Sequence, residues 1–304
     1  MSTRIPTIIC ALTLLLSPLI GRAAAISPST FELSSVRGQE VEASFAILNT
    51  SASEQVYFLD LLEFTPTEET GTPQFAQKDS EDGLTSWIHF PIEEIPVPAQ
   101  SRVDVPFNIL VPDDVPSGGY YASITVSTAP TDVVATNGAI IEARTAILLF
   151  LTIEGETVES LQLLDFTGDQ NQTTLPYGTF TFRLQNQGNV HVTPSGVIRL
   201  RGMFGNTIAT LDANSAEGRV LPASTRAFTV EYQEEASFME AVGFQLSHLI
   251  MGPVTAELTL SYGMEGAIAT QTAFWVFPWQ LISVLVGGVL LLAVMFKWLQ
   301  KASK

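Results

Sequence analysis

Val111-Pro112-Asp113-Asp114-Val115-Pro116-Ser117-Gly118-Gly119-Tyr120-Tyr121-Ala122-Ser123-Ile124-Thr125-Val126 is a turn that becomes a strand. Pro112 and Pro116 restrict φ, and Gly118-Gly119 permits the positive φ that a sharp bend needs. From Tyr120 onward side chains alternate. Tyr120, Ala122, Ile124 and Val126 form one face, and Tyr121, Ser123, Thr125 and Ser127 form the other. The first face suits a core and the second suits solvent. Tyr120 precedes the small Ala122 by two residues, the spacing of a tyrosine corner, so its ring is expected to pack inward and its hydroxyl to bond upstream backbone near Asp114.

The same grammar recurs along the chain. Val41–Leu48, Val56–Leu62 and Val103–Ile109 read as strands, the last with Pro106 marking an edge. Ala139–Ile153 reads as a long strand that closes the unit at Gly155. Phe45–Asn49 is echoed by Phe182–Asn186, Pro98–Arg102 by Pro222–Arg226, and Gly118 with its strand by Gly252 with Val254–Ser261. The offsets are 137, 124 and 134 in one order. Tandem repeats of a strand-rich unit are the reading: all-β, two immunoglobulin-like β-sandwiches at 26–155 and 156–274. The second copy keeps the glycine and the alternation but has no counterpart to Asp113–Asp114. That acid pair is therefore expected to be a solvated turn and not a metal or catalytic site.

The two ends are apolar. Arg4, the run Ile8–Ile20 and Ala23-Ala24-Ala25 predict a signal peptide over 1–25. Cys10, the only cysteine, falls inside it, so the remaining chain has no thiol chemistry. LPYGT at Leu175 and LPAST at Leu221 only approximate a sortase motif and lie far upstream of the second apolar run. That run predicts a transmembrane helix over 275–297, with Trp275, Trp279 and Trp298 at its edges, followed by a basic tail, 298–304. By the positive-inside rule the tail is cytoplasmic and all that precedes the helix lies outside, at the cell surface or in a periplasm. Ser283 and Gly287 stand at a small-xxx-small spacing, a weak sign of helix pairing.

All 31 acids lie between these ends, against nine of the 14 basic residues, which leaves that segment at −22. Such a surface repels nucleic acid and anionic lipid. Three dispersed histidines, His89, His191 and His248, have no metal-ligand spacing and are expected on the surface. The acidic loop Lys78–Gly83 is the best calcium candidate, yet it lacks the later glutamate of a full calcium loop. It lies in the turn-rich stretch Thr65–Thr85, which is expected to be a long loop and part of a recognition surface. No P-loop, nucleophile elbow or dinucleotide fingerprint is present. The expectation is a binding protein with no cofactor, no catalytic residue and no metal site, its ligand-binding residues unassigned.

Ile26-Ser27-Pro28, Arg37-Gly38-Gln39, Asn49, Val97–Arg102 and Val111–Asp114 with Gly118-Gly119 carry a resemblance to the N-terminal domain of bacterial WxL-interacting proteins. The layout of signal, two sandwiches, one span and basic tail matches as well. The resemblance implies peptidoglycan binding by the first domain and partner or host-surface binding by the second. Residues 157–274 match only in outline, and the chain has no WxL module. The first unit is also similar to the N-terminal domain of periplasmic pilus chaperones, which implies strand binding. Three functions follow as expectations: an envelope protein that binds cell-wall polymer or another surface protein, a structural stalk or subunit of an envelope complex, and a chaperone-like strand-binding module.

Overall fold

The computed structural model describes residues 25–67, 69–76, 83–129, 144–168, 178–232, 237–248, 250–264 and 266–302. The expected signal peptide but for Ala25, positions 78–82 of the acidic loop and the expected strand start at 139–143 lie outside the described residues. The chain divides into two compact units. One comprises Met1–Phe64, Phe75–Val115 and Tyr120–Leu151; the other comprises Thr65–Gln74, Pro116–Gly119 and Thr152–Lys304.

The first strand-rich stretch contains β1 (Ala25–Ser27), β2 (Thr30–Ser35), β3 (Glu40–Asn49), β4 (Gln55–Thr67), β5 (Thr72–Ala76), α1 (Leu84–Trp87), β6 (Ile88–His89), β7 (Glu94–Val97), β8 (Ser101–Leu110), β9 (Gly118–Ser127) and β10 (Arg144–Ile153). One sheet runs β1-β3-β8-β6; the other runs β2-β10-β9-β4-β5, with β7 also on β4. Alternate residues of each sheet are buried: Phe45, Ile47, Phe107 and Ile109 from the first, and Ile124, Leu149 and Leu151 from the second. Burying each is worth about 1.5–3 kcal/mol.

The alternation of β9 gives its inner face correctly, with Ala122, Ile124 and Val126 buried, but the outer face is not solvated. Ser123, Thr125 and Ser127 are buried too. An aromatic layer from distant parts of the chain lies on that side: Tyr121 packs 6.0 Å from Phe64 and 5.7 Å from Phe150, ring centroid to ring centroid. Two of these three hydroxyls find a backbone acceptor, while the buried Ser123 Oγ has no hydrogen-bond partner. Thr125 Oγ1 donates to Asp60 O at 3.2 Å, and Ser127 Oγ to Ala129 O at 2.7 Å.

The second stretch contains β11 (Leu161–Gly168), β12 (Gly178–Asn186), β13 (Ser195–Arg201), β14 (Thr207–Asp212), β15 (Thr225–Tyr232), α2 (Phe238–Ser247), β16 (Gly252–Tyr262), β17 (Gly266–Val276) and α3 (Trp279–Ala302). Its sheets run β11-β12-β15 and β14-β13-β16-β17. Phe180, Phe182 and Leu184 from the first sheet share one core with Ile198, Leu200, Leu258 and Leu260 from the second. Phe182 and Phe228 stack with centroids 5.0 Å apart.

Both stretches use one plan: β1-β3-β8 corresponds to β11-β12-β15, and the run β10-β9-β4 to β17-β16-β13. The echoes in sequence mark equivalent positions. Gly118 and Gly252 open β9 and β16 with φ of +149° and +86°. Asn49 and Asn186 end β3 and β12 and are both buried. The fold is two immunoglobulin-like β-sandwiches followed by one apolar helix.

Two helical elements escaped the sequence. Ser237-Phe238-Met239-Glu240 starts α2, where Ser237 N donates to Glu240 Oε2 at 2.8 Å. This is half of a capping box, and it was present in the sequence as a signal. The other is the single-turn α1. The expected C-terminal helix starts later than 275: β17 extends through Val276 and α3 begins only at Trp279. Its 24 residues span about 36 Å at 1.5 Å each, and it is long and apolar enough to cross a membrane.

Candidate functional site

Asp113 and Asp114 occupy a turn and are exposed. Gly38 N donates to Val111 O at 3.1 Å and Val111 N to Gln39 O at 3.0 Å, while Arg37 Nε donates to Val115 O at 2.6 Å. Asp113 lies so close over Gly38 that a Cβ there would stand 2.2 Å from its Oδ1. The acids thus belong to the hinge between Arg37–Gln39 and Val111–Val115. The half-buried Tyr120 rests against Trp87, centroids 4.7 Å apart, and burial pushes its phenol pKa up while Arg37 draws it down. Among the described residues no group of three or more His, Cys, Asp or Glu is placed to hold a metal ion.

The stretch Thr65–Thr85 is not one long loop. Its described part is the tip of a β4–β5 hairpin and, from Leu84, the start of α1. Glu-Thr-Gly-Thr-Pro chemistry reads as loop locally, but here it makes a tight turn with Gly71 at φ +69°. Within the second unit Glu69 is clamped by Arg183. The guanidinium donates through Nε to Glu69 Oε2 at 2.7 Å, through Nη2 to Glu69 Oε1, and through Nη1 to Asp165 Oδ2 at 2.9 Å. The hydrogen bond from Arg183, with its charge adding, holds the Glu69 carboxyl below its usual range. Ala227 N on β15 donates to Glu69 O at 2.7 Å. Glu69 is therefore spent on the fold. For the acidic loop, only Gly83 is described, preceding α1.

His89 is exposed, and its Nδ1 lies 2.9 Å from Trp87 O. His191 is half-buried. His248, expected on the surface, is half-buried at the end of α2, where its ring lies 4.4 Å from that of Phe244 and its backbone N donates to Phe244 O at 3.1 Å.

The second unit presents a sheet edge on each of two flanks. On one, β14 and β15 edge the sandwich and leave a cleft of about 380 Å³ lined by Leu211–Ala216 and Arg226–Glu231. Arg226 lies over the Phe228 ring at 5.3 Å and donates through Nη1 to Arg219 O at 2.9 Å. Burial, with Arg219 nearby, lowers its pKa, and its buried Nε has no hydrogen-bond partner. On the other flank β17 pairs with β16 over eleven residues, Gly252↔Val276 to Tyr262↔Gly266; among the described residues no strand hydrogen-bonds to its second side, although β11 packs near it, where a Cβ on Gly168 would stand 3.9 Å from Thr272 Cγ2. Ala267, Ala269 and Ala273 are exposed and keep its outer face flat. A shallow depression of about 380 Å³ lies over Glu257–Thr259 and Ala269–Gln271. Sequence reasoning could place this strand but not its edge, because strand order is set by pairings between distant residues.

No protein-family model and no curated protein matches the chain. Solved structures similar to it include the class 5 fimbriae chaperone CfaA, with 12% identity over 82% of this chain and 98% of that chain and a TM-score of 0.42. The YadV chaperone has 12% identity, coverages of 83% and 100%, and a TM-score of 0.41. The CsuC–CsuE chaperone–tip adhesion subunit complex of Acinetobacter baumannii has 13% identity, coverages of 84% and 100%, and a TM-score of 0.39. Superpositions this loose assign no role to any residue.

Proposed function

We propose that the chain is a non-catalytic, membrane-anchored binding protein whose second sandwich takes up a polypeptide partner by strand addition along β17. The second side of β17, to which no strand hydrogen-bonds among the described residues, carries this reading. Gly266–Val276 contains no proline and no charge. Long edges of this kind are usually blunted by Lys, Pro or a bulge, because their unpaired N–H and C=O groups template another strand. The contrast with β8 is instructive. There, among the described residues, the side not paired to β3 pairs with only the two residues of β6, and the strand carries Pro106 and an exposed Arg102–Asp104 pair at 2.8 Å. An extended peptide on β17 would gain main-chain hydrogen bonds along the edge. Chaperones of pilus assembly stand among the similar structures, but the reading rests on the edge and not on them.

In this reading α3 crosses the membrane, Lys297 and Lys301 face the cytoplasm, and both sandwiches lie outside. The peptidoglycan alternative rests on the resemblance to WxL-interacting proteins. The residues that carry that resemblance are largely committed to turns: Asn49 to the β3 terminus, Arg37–Gln39 and Val111–Val115 to one hinge, and Gly118 to a bend.

A photo-reactive residue at Gln271, set against one at Arg102, tests the proposal in intact cells. The expected result is a protease-sensitive adduct at Gln271 and none at Arg102. No adduct at Gln271, or one removed by muramidase instead of protease, overturns the strand-addition reading; the latter favours wall polymer.

A further inference from the structure

We infer that the second unit rests on the lipid surface through an apolar foot built around the base of α3. This rests on the reading of α3 as a membrane anchor. Phe204, Met239, Leu246, Met251, Trp275 and Phe277 are each more than half exposed. They come from four separate segments, and the structure joins those segments. Asn206 Nδ2 donates to His248 O at 2.7 Å, which ties the β13–β14 turn bearing Phe204 to the end of α2. Met203 Sδ and the Trp275 ring close over Gly252, where an added Cβ would stand 3.3 Å and 3.9 Å from them.

Helix α2 is fixed to the first turn of α3. Gln245, fully buried, donates through Nε2 to Gln280 Oε1 at 2.8 Å and accepts from Leu281 N at 3.1 Å. Phe238 lies 5.8 Å from Trp279, ring centroid to ring centroid. Met239, Gly243 and Leu246 then fall on one exposed face of α2 at the i, i+4, i+7 spacing of a helical stripe. Nearby charges are already engaged: Arg201 Nε donates to Glu257 Oε2 at 2.8 Å, and Glu240 accepts from Ser237 N.

The occupant follows from continuity. Trp279 to Phe296 carries no charge, and Trp275 lies only four residues before it. Any apolar surface joined to the first turn of a spanning helix lies at headgroup level. Trp, Phe, Met and Leu partition there, and an apolar helical stripe settles about 5–10 Å into the boundary. A segment at −22 gains nothing from anionic headgroups, so the attraction is apolar and a zwitterionic surface is the fitting partner.

The full chain carrying Cys10→Ser is reconstituted in phosphatidylcholine vesicles containing a lipid spin-labelled near the headgroup. Single cysteines at Phe204, Leu246, Met264 or Leu290 carry an environment-sensitive fluorophore. Met264 is the control: it is almost fully exposed, at the far end of the β16–β17 hairpin, about 30 Å along the strand from Trp275. The expected result is quenching at Phe204 and Leu246 and none at Met264. A second lipid, labelled deep in its chain, reports on Leu290. Quenching at Leu290 with none at Phe204 and Leu246 overturns the foot and leaves the anchor standing. No quenching at Leu290 either removes the anchor, and the foot with it. Fluorophores at Leu246 that self-quench between copies without lipid quenching assign this face to a second copy of the chain and also overturn the proposal.

Discussion

Asn49 and Asn186, 137 positions apart, do the same work in their two sandwiches. Each ends its strand with the side chain buried. Asn49 Nδ2 donates to Ser53 O at 2.9 Å and Val97 O at 3.0 Å; Asn186 Nδ2 donates to Val190 O and Val220 O, both at 2.8 Å. Each Oδ1 accepts the backbone N–H two residues on, from Ser51 and from Gly188. One amide thus closes its own turn and locks it to the turn before the next strand, whose positive-φ residue is Gln100 in one case and Ala223 in the other.

Asn186→Ala leaves two buried carbonyls and one N–H without their partner and is expected to cost about 3 kcal/mol. Asn186→Asp keeps the acceptor for Gly188 N and loses the donor, so it should fall between wild type and alanine. Urea unfolding of the three proteins gives the order.

Gly252→Ala places a Cβ at φ +86° and 3.3 Å from Met203 Sδ. The left-handed backbone alone costs about 1–2 kcal/mol. A lower thermal midpoint with unchanged circular dichroism at low temperature is the expected outcome.

Arg183 makes the acid limb of stability depend on Glu69. The folded carboxyl titrates below its unfolded value. Its contribution is therefore complete above the ordinary glutamate pKa of about 4.3 and is lost as pH falls through the depressed value. Arg183→Gln should flatten that part of the stability–pH curve and leave neutral-pH stability only slightly changed, since the pair is partly exposed. Urea midpoints between pH 3 and pH 6 read the difference.

Gln245→Ala removes the acceptor for Leu281 N, and a buried unpaired group costs about 1–3 kcal/mol. Faster hydrogen exchange at the start of α3 and at α2, with β12 and β16 unchanged, is expected.

The architecture was legible because its signals are local: a glycine at a bend, an asparagine at a strand end, a period of two. The face of β9 expected in solvent is buried, and Tyr121 on that face packs against Phe64 and Phe150, which come from far away in sequence. Helix α2 was missed because ten residues with a mixed apolar and exposed stripe give little periodicity, although Ser237 and Glu240 marked its start. The pairing of Glu69 at the hairpin tip is not legible in the sequence, since nothing near it announces Arg183. The edge of β17 and the proposed foot are each defined by what lies beside a strand or helix rather than by any run of residues.

Only Phe277 and Pro278 separate β17 from α3. The eleven-residue pairing of β17 with β16 is therefore joined to α3 by only two residues. Antiparallel hydrogen bonds stand perpendicular to their strands, so a pull on the chain along β17 loads them together in shear and not one after another. In the proposed reading, with α3 in lipid and a partner outside, this hairpin would be the mechanical coupling, and its yield force would set how hard the second sandwich can be pulled before it unravels from its C-terminal side.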